Sequence, residues 1–273
     1  MNLKFTKMQG TGNDFIVIED FDLKLLNEQD KLAQKLCDRR FGIGADGILF
    51  VRKSEAADIK MEIINADGSY AAMCGNGIRC FAKYVLDEKL VSNKNIKIET
   101  GDGIKIAAVK LEKNGAANVT IDMGNYSLNP KDIPAESEET IINKKIIVGN
   151  MEYEIISMLM GVPHTVIISK LDDVDINEGK AIEKYKLFPK GTNVNFCEVI
   201  DKNNIKVKTW ERGAGPTLAC GTGSCAAVIA SNLIGLTEKE VKVQVPGGEM
   251  QIKISDDSIF MTGPAVTVYK GEI

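Results

Sequence analysis

The sequence predicts an α/β (α+β) protein made of two similar halves, and two observations carry that expectation. The first is a duplicated motif: Cys74-Gly75-Asn76-Gly77 and Cys220-Gly221-Thr222-Gly223 each lead into an apolar run suited to a helix. The second is that, in each half, expected strands precede and follow that helix, as an internal duplication would arrange them. Identity between the halves is confined to those few residues.

Taken in order, residues 1 to 20 alternate and then turn continuously apolar, reading as a hairpin whose turn, Gly10 to Asp14, places Asn13 on a loop. Leu32, Ala33, Leu36 and Cys37 fall at helical spacing, predicting a helix that ends near Gly42. Strands follow at 47–53 and 59–64, then the helix behind Cys74, then strands split at Gly101-Asp102-Gly103. Residues 125–145 mix proline, serine and acid without periodicity and read as the interdomain passage, giving halves of 1–124 and 125–273. In the second half, strands at 152–159 and 165–169 precede a helix at 177–186, and strands at 193–199 and 204–210 precede the helix from Cys220 to Leu233. The remaining strands turn at Pro246-Gly-Gly248.

Composition excludes several classes. The chain has 273 residues, 44% apolar and 26% charged, which excludes disordered and fibrous chains. Its net charge of -4, with no block of like charge, argues against a nucleic-acid partner. No apolar stretch approaches the roughly 20 residues of a membrane span, and the N-terminus lacks a signal-like apolar run. A cytoplasmic protein is therefore expected, and the lack of a signal-like segment argues against reading its six cysteines as a disulfide framework. One histidine and no Cys-x-x-Cys leave no expected metal site.

Cys74 and Cys220 stand where a glycine-rich turn becomes a helix, and the unpaired N–H groups of a first turn favour an ionised thiol there. Cys37, Cys80, Cys197 and Cys225 read as small buried hydrophobes. Gly42 to Gly47 and Gly221 to Ala226 match a dinucleotide-binding spacing, but neither has the required strand-to-helix context. Their glycines are expected to allow close backbone approach to an anion such as a carboxylate. By itself, Glu211-Arg212 reads as a surface ion pair, and His164 as either a structural hydrogen-bonder or a catalyst.

Several segments together resemble the diaminopimelate epimerase family: Gln9 to Phe15, Arg39 to Gly47, Asn65 to Ser69, Met73 to Cys80, Gly191 to Phe196, and Glu211-Arg-Gly followed by Thr217 to Gly223. That resemblance implies two halves, each a curved, mostly antiparallel sheet wrapped around a central helix, with the active site in the cleft between them. It implies that the last strand, from about residue 263, returns to the first half. It further implies a cofactor-independent isomerase, often dimeric, that takes LL-2,6-diaminopimelate to its meso form with Cys74 and Cys220 as thiol and thiolate. His164 and Glu211 would meet the reacting amino group, and backbone N–H groups of Gly75, Asn76, Gly221 and Thr222 the α-carboxylate. Asn65, Asn193 and Arg212 would hold the distal end, with Asn13 also lining the pocket.

Two positions depart from the family pattern: Val162 where many members have asparagine, and Gly47 where others have glutamine. They keep a rival in play, a same-fold racemase of another amino acid such as histidine or a diaminopimelate analogue. A thiol redox protein and a non-catalytic amino acid-binding module are the readings from other classes.

Overall fold

The computed structural model describes residues 3–113 and 115–273, so positions 1 and 2 of the expected first strand lie outside the described residues. Two compact units result, one of Met1–Asp122 with Thr262–Ile273 and the other of Met123–Met261. Among the described residues no helix is long and apolar enough to cross a membrane.

In the first unit, β1 (Lys4–Gly10) and β2 (Asn13–Glu19) form a hairpin, and β2 pairs in parallel with β3 (Gly47–Arg52). β3 pairs antiparallel with β4 (Ile59–Asn65), which takes the short β5 (Tyr70–Ala71) and, in parallel, β6 (Asn95–Thr100). From β6 the sheet meanders through β7 (Gly103–Leu111) and β8 (Ala117–Asp122). β8 pairs with the last strand of the chain, β17 (Ile259–Glu272), which pairs back onto β1. The sheet thus closes on itself, leaving no unpaired edge between β8 and β1. The helix α2 (Gly75–Asp87) packs on β1, β2, β7 and β8 and is buried from Gly75 to Val85. Its apolar residues Ile78, Cys80, Phe81, Ala82 and Val85 are buried together with its polar face, where Asn76 donates to Asn13, Arg79 to Thr11 and Pro264 O, and Lys83 pairs with Asp87. On the other face of the strands, α1 (Gln29–Cys37) buries Ala33, Leu36 and Cys37 against Ile16, Ile18, Ile48 and Phe50.

The second unit repeats this order. After β9 (Lys144–Val148), β10 (Met151–Met160) pairs antiparallel with β11 (Val162–Ile168), which pairs in parallel with β12 (Asn193–Asp201). β12 pairs antiparallel with β13 (Asn204–Glu211), which takes the short β14 (Gly215–Thr217) and, in parallel, β15 (Glu240–Val245). β15 then pairs with β16 (Gly248–Ile254) across the Pro246-Gly247 turn. The five-residue α3 (Gly179–Glu183) occupies the place of α1, and α4 (Gly221–Leu233) packs on β10 to β13, β15 and β16 as α2 does in its unit.

Three expectations change in detail. Asn13 opens β2 instead of lying on a loop, because Thr11 and Gly12, at φ of 53° and 81°, close a two-residue hairpin on their own. The helix expected at 177–186 is only a 3-10 turn at Ile176–Glu178 followed by α3. Its Gly179 lies against Trp210, where an added Cβ would be 2.5 Å from the tryptophan Cβ. The aperiodic stretch 125–145 is no bare linker, since Ile133 and Ile141 are buried in the second unit's core with Ile155, Ile167 and Phe196.

Candidate active site

Each leading cysteine is the N-cap of its central helix. Cys74 has extended backbone angles (φ -141°, ψ 118°) and its Sγ accepts the Gly77 N–H at 3.4 Å. Cys220 has nearly the same angles (φ -117°, ψ 113°), and its Sγ accepts the Gly223 N–H at 3.4 Å. A side-chain atom that receives an N–H at a helix start is held where positive potential is highest, so negative charge on sulfur is favoured there. Both thiols follow a short strand by three residues: Cys74 comes after Ala71 of β5, and Cys220 after Thr217 of β14.

The other cysteines have no such setting. Cys37, Cys80 and Cys197 are buried, and loss of solvation pushes each thiol up to about 12. Cys225 is also buried, inside α4. All four match their expected role as small core hydrophobes.

Around Cys74 the structure gathers Asn13 and Asn76. Asn13 Oδ1 lies 3.6 Å from Cys74 Sγ and accepts from Asn76 Nδ2 at 3.3 Å. Asn13 Nδ2 donates in turn to the Asp46 carboxylate. Asp46 is bridged to Asp14 by Arg39, at 2.8 Å and 2.6 Å, and Lys7 Nζ reaches Asp14 at 2.6 Å. Burial opposes charge on Asp14, but hydrogen bonds from Arg39 and Lys7 outweigh it and hold the carboxyl at about 2. Thr11, a β-branched residue in the left-handed region, receives a hydrogen bond from buried Arg79 Nη2 at 2.9 Å. Asn65 ends β4 in this unit, with Nδ2 donating to Ser69 Oγ at 3.0 Å.

In the second unit, His164, Asn193 and Glu211 lie on β11 to β13, Arg212 in the turn just after β13, and Thr222 at the start of α4. His164, the third residue of β11, is opposite Asn193, the first of β12. Asn193 Oδ1 accepts the Arg212 N–H at 2.8 Å, and its Nδ2 donates to Pro163 O at 3.0 Å. The Arg212 guanidinium donates to Lys190 O, while Glu211 Oε1 accepts from Thr217 Oγ1 at 2.7 Å. Those contacts replace the surface-pair reading with two separately held side chains. Thr222 Oγ1 is 3.5 Å from Cys220 Sγ. His164 is wholly buried, and burial, with a smaller push from the Arg212 cation, drives its pKa down to about 3, so the ring is neutral.

The glycine-rich stretches owe their glycines to packing. A Cβ on Gly42 would stand 2.4 Å from Lys35 O, and one on Gly223 would stand 2.3 Å from Asn195 Oδ1. Gly47 has no space for a side chain either, since its Cβ would meet Ile64 O at 2.8 Å. Val162 opens β11 and is partly exposed.

Sequence reasoning assigned no role to Asn195, Thr209, Asp14, Asp46, Arg39, Thr11 or Arg79. A signal was present for Asn195: with Asn193 it places two amides on one face of an otherwise apolar strand. For the rest, only proximity in space reveals the connection.

The diaminopimelate epimerase family model matches residues 5–129 and 156–268. A diaminopimelate epimerase of Clostridium perfringens is 57% identical over 98% of this chain and 98% of its own length. One from Alkaliphilus metalliredigens is 45% identical, covering 99% and 97% respectively. Among solved structures, a PhzF-family phenazine biosynthesis protein of Bacillus anthracis superposes with a TM-score of 0.75 at 18% identity, covering 100% of this chain and 99% of its own. That last likeness concerns the fold alone, two units each with a strand-rich sheet around a helix. With a family model spanning both cysteine motifs and relatives this similar over their full length, the chain belongs to the diaminopimelate epimerase family.

Proposed function

We propose that this protein epimerises LL-2,6-diaminopimelate to the meso isomer without a cofactor, using Cys74 and Cys220 as its two bases. The observation that carries the reading is the pair of thiols, each capping a helix through an N–H to Sγ contact of 3.4 Å, in a chain of this family. Inverting a carbon requires a proton to leave one face and another to arrive on the opposite face. One thiolate takes the α-proton, leaving its electron pair on carbon, and the other thiol gives its proton to that carbanion. The thiol–thiolate pair has then exchanged states, ready for the reverse direction. Two thiolates serving one carbon would repel, so the pair holds one proton and titrates as a unit.

The carbanion is stabilised by what surrounds its carboxylate. Backbone N–H groups of Gly75, Asn76, Gly221 and Thr222, at the starts of two helices, suit an anion whose charge grows in the transition state. Glu211 and His164 serve the reacting amino acid end. Asn65, Asn193 and Arg212 serve the distal end, where a guanidinium can pair a carboxylate through two hydrogen bonds. Asn13 completes the lining beside Cys74. Family membership favours diaminopimelate over the rival amino acids that Gly47 and Val162 left in play. The same resemblance supports a homodimer acting in the cytoplasm, which sedimentation and cell fractionation would test.

The reduced protein in deuterated water, offered LL-diaminopimelate, should exchange the α-proton and accumulate the meso isomer. Deuterium entering only some other amino acid would overturn the substrate. Cys74→Ala and Cys220→Ala should each lower turnover by about 1,000-fold or more, since either loss removes a proton donor or acceptor. Wild-type turnover in either variant would sink the two-base scheme.

A further inference from the structure

The repeated topology provides an internal control for what the second unit has added. Phe15, third in β2, lies opposite Gly47, and Leu49, third in β3, lies opposite Ile63. In the second unit, His164, third in β11, lies opposite Asn193, and Asn195, third in β12, lies opposite Thr209. The equivalent positions thus hold Phe15, Leu49 and Ile63 in one unit and His164, Asn195 and Thr209 in the other. Each set reaches the third residue of its central helix. Gly77 approaches Leu49 and Phe15, and Gly223 approaches Asn195. Where the first unit supports its cysteine helix on hydrocarbon, the second uses three buried polar side chains.

The polar set has one consistent hydrogen-bond assignment. Thr165 O can only accept, so the Asn195 atom 3.2 Å from it is the amide nitrogen, Nδ2. That same nitrogen is 3.2 Å from His164 Nδ1, which must therefore accept. Thr209 Oγ1 donates to Asn195 Oδ1 at 3.0 Å and uses the other end of the amide. A neutral imidazole whose Nδ1 accepts carries its hydrogen on Nε2. Nε2 is buried and has no partner among the described residues. Buried donors are seldom left unanswered, and an acceptor on a bound ligand would satisfy this one.

We propose that Asn195 is a positioning residue that locks His164 as its Nε2–H tautomer, so that His164 donates to a substrate carboxylate oxygen. Resting on the epimerase reading, this differs from a contact between His164 and the reacting amino group. A protonated amine has no lone pair to accept from Nε2–H, and in an amino acid at neutral pH the oxygens alone can. Glu211, which can only accept when ionised, is left to meet the ammonium.

The chain's single histidine makes the test direct. In nitrogen-15-labelled protein at neutral pH, long-range proton–nitrogen correlation should show Nδ1 bare and Nε2 protonated. A hydrogen found on Nδ1 overturns the proposal, whatever the protein turns over. Saturating meso-diaminopimelate should shift the Nε2–H resonance, whereas cadaverine, which has two amines and no carboxylate, should not. Equal shifts with both, or none with diaminopimelate while deuterium exchange proceeds, would refute the carboxylate contact. Asn195→Leu installs the side chain that the first unit has at Leu49. It should fold, lose the fixed tautomer, and lower kcat by about 100-fold with little change in KM. Unchanged kcat would show a purely structural amide; should the variant not fold, the wild-type tautomer decides. Absence of any exchange with diaminopimelate would instead count against the substrate reading, leaving the tautomer result to stand alone.

Discussion

Asp14 holds its charge in a mostly buried position because Arg39 and Lys7 both meet it there. Burial alone would raise its pKa; the two cations bring it from 3.8 to about 2. An acid whose folded pKa is depressed adds stability above its unfolded value and loses that stability as pH falls through the folded one. Here the contribution is full above about pH 4 and fades toward pH 2, and the shift is worth about 2 kcal/mol. Asp14→Asn should therefore lower the denaturation midpoint at pH 7, with the gap from wild type closing as pH approaches 2. A gap independent of pH would mean that the network acts by shape instead of charge. His164 works in the same direction: the unfolded chain takes up a proton below about 6.5, while the folded ring resists until about 3. Acid therefore favours unfolding across that window. Neither effect was legible in the sequence, because the 25 residues from Asp14 to Arg39 and the 48 from His164 to Arg212 close only in three dimensions.

The two helix starts look alike in sequence and differ in what lies beneath them. At Gly77 an added Cβ would be 3.3 Å from Leu49 Cδ2, the flexible end of a side chain. At Gly223 it would be 2.3 Å from Asn195 Oδ1, which is fixed by hydrogen bonds at both ends of its amide. Gly77→Ala should change stability by less than about 1 kcal/mol, since a gain in helix propensity offsets the crowding. Gly223→Ala should cost about 2 kcal/mol or more, as the amide must move or the helix must lift. Calorimetry on the two variants compares them directly, and equal losses would show that Asn195 is not rigidly held. The glycine-helix motif itself could be read from residues; its unequal support could not, because Leu49 and Asn195 come from strands far from the helix in sequence.

At the scale of the whole molecule, the chain closes its first unit with its last strand. Residues Thr262–Ile273 belong with Met1–Asp122, and β17 pairs with both β1 and β8. Deleting 262–273 would leave two long sheet edges with unpaired backbone groups, a template for aggregation. The truncated protein should elute as aggregate in size-exclusion chromatography and lose cooperative thermal unfolding of the first unit. A monodisperse product with the wild-type Tm would show that β17 is dispensable for closure. The pairing also explains why the unit's core tolerates a fully buried helix: every strand around α2 has partners on both sides, so sheet polarity is satisfied without water.

Residue order was enough to read the succession of strands and helices, the doubled Cys-Gly-x-Gly helix start, and which four cysteines would be core residues. These are local matters: side-chain period, turn residues and the unpaired N–H groups of a first helical turn depend on neighbours in the chain. Tertiary structure alone decided that Ile133 and Ile141 of an aperiodic stretch are core residues, since burial depends on what folds over them. It also decided that Gly47 has no room for a side chain, and that His164, Asn195 and Thr209 stand where the first unit has hydrocarbon. Strand register sets those equivalences, and register is fixed by pairing between segments that sequence distance keeps apart.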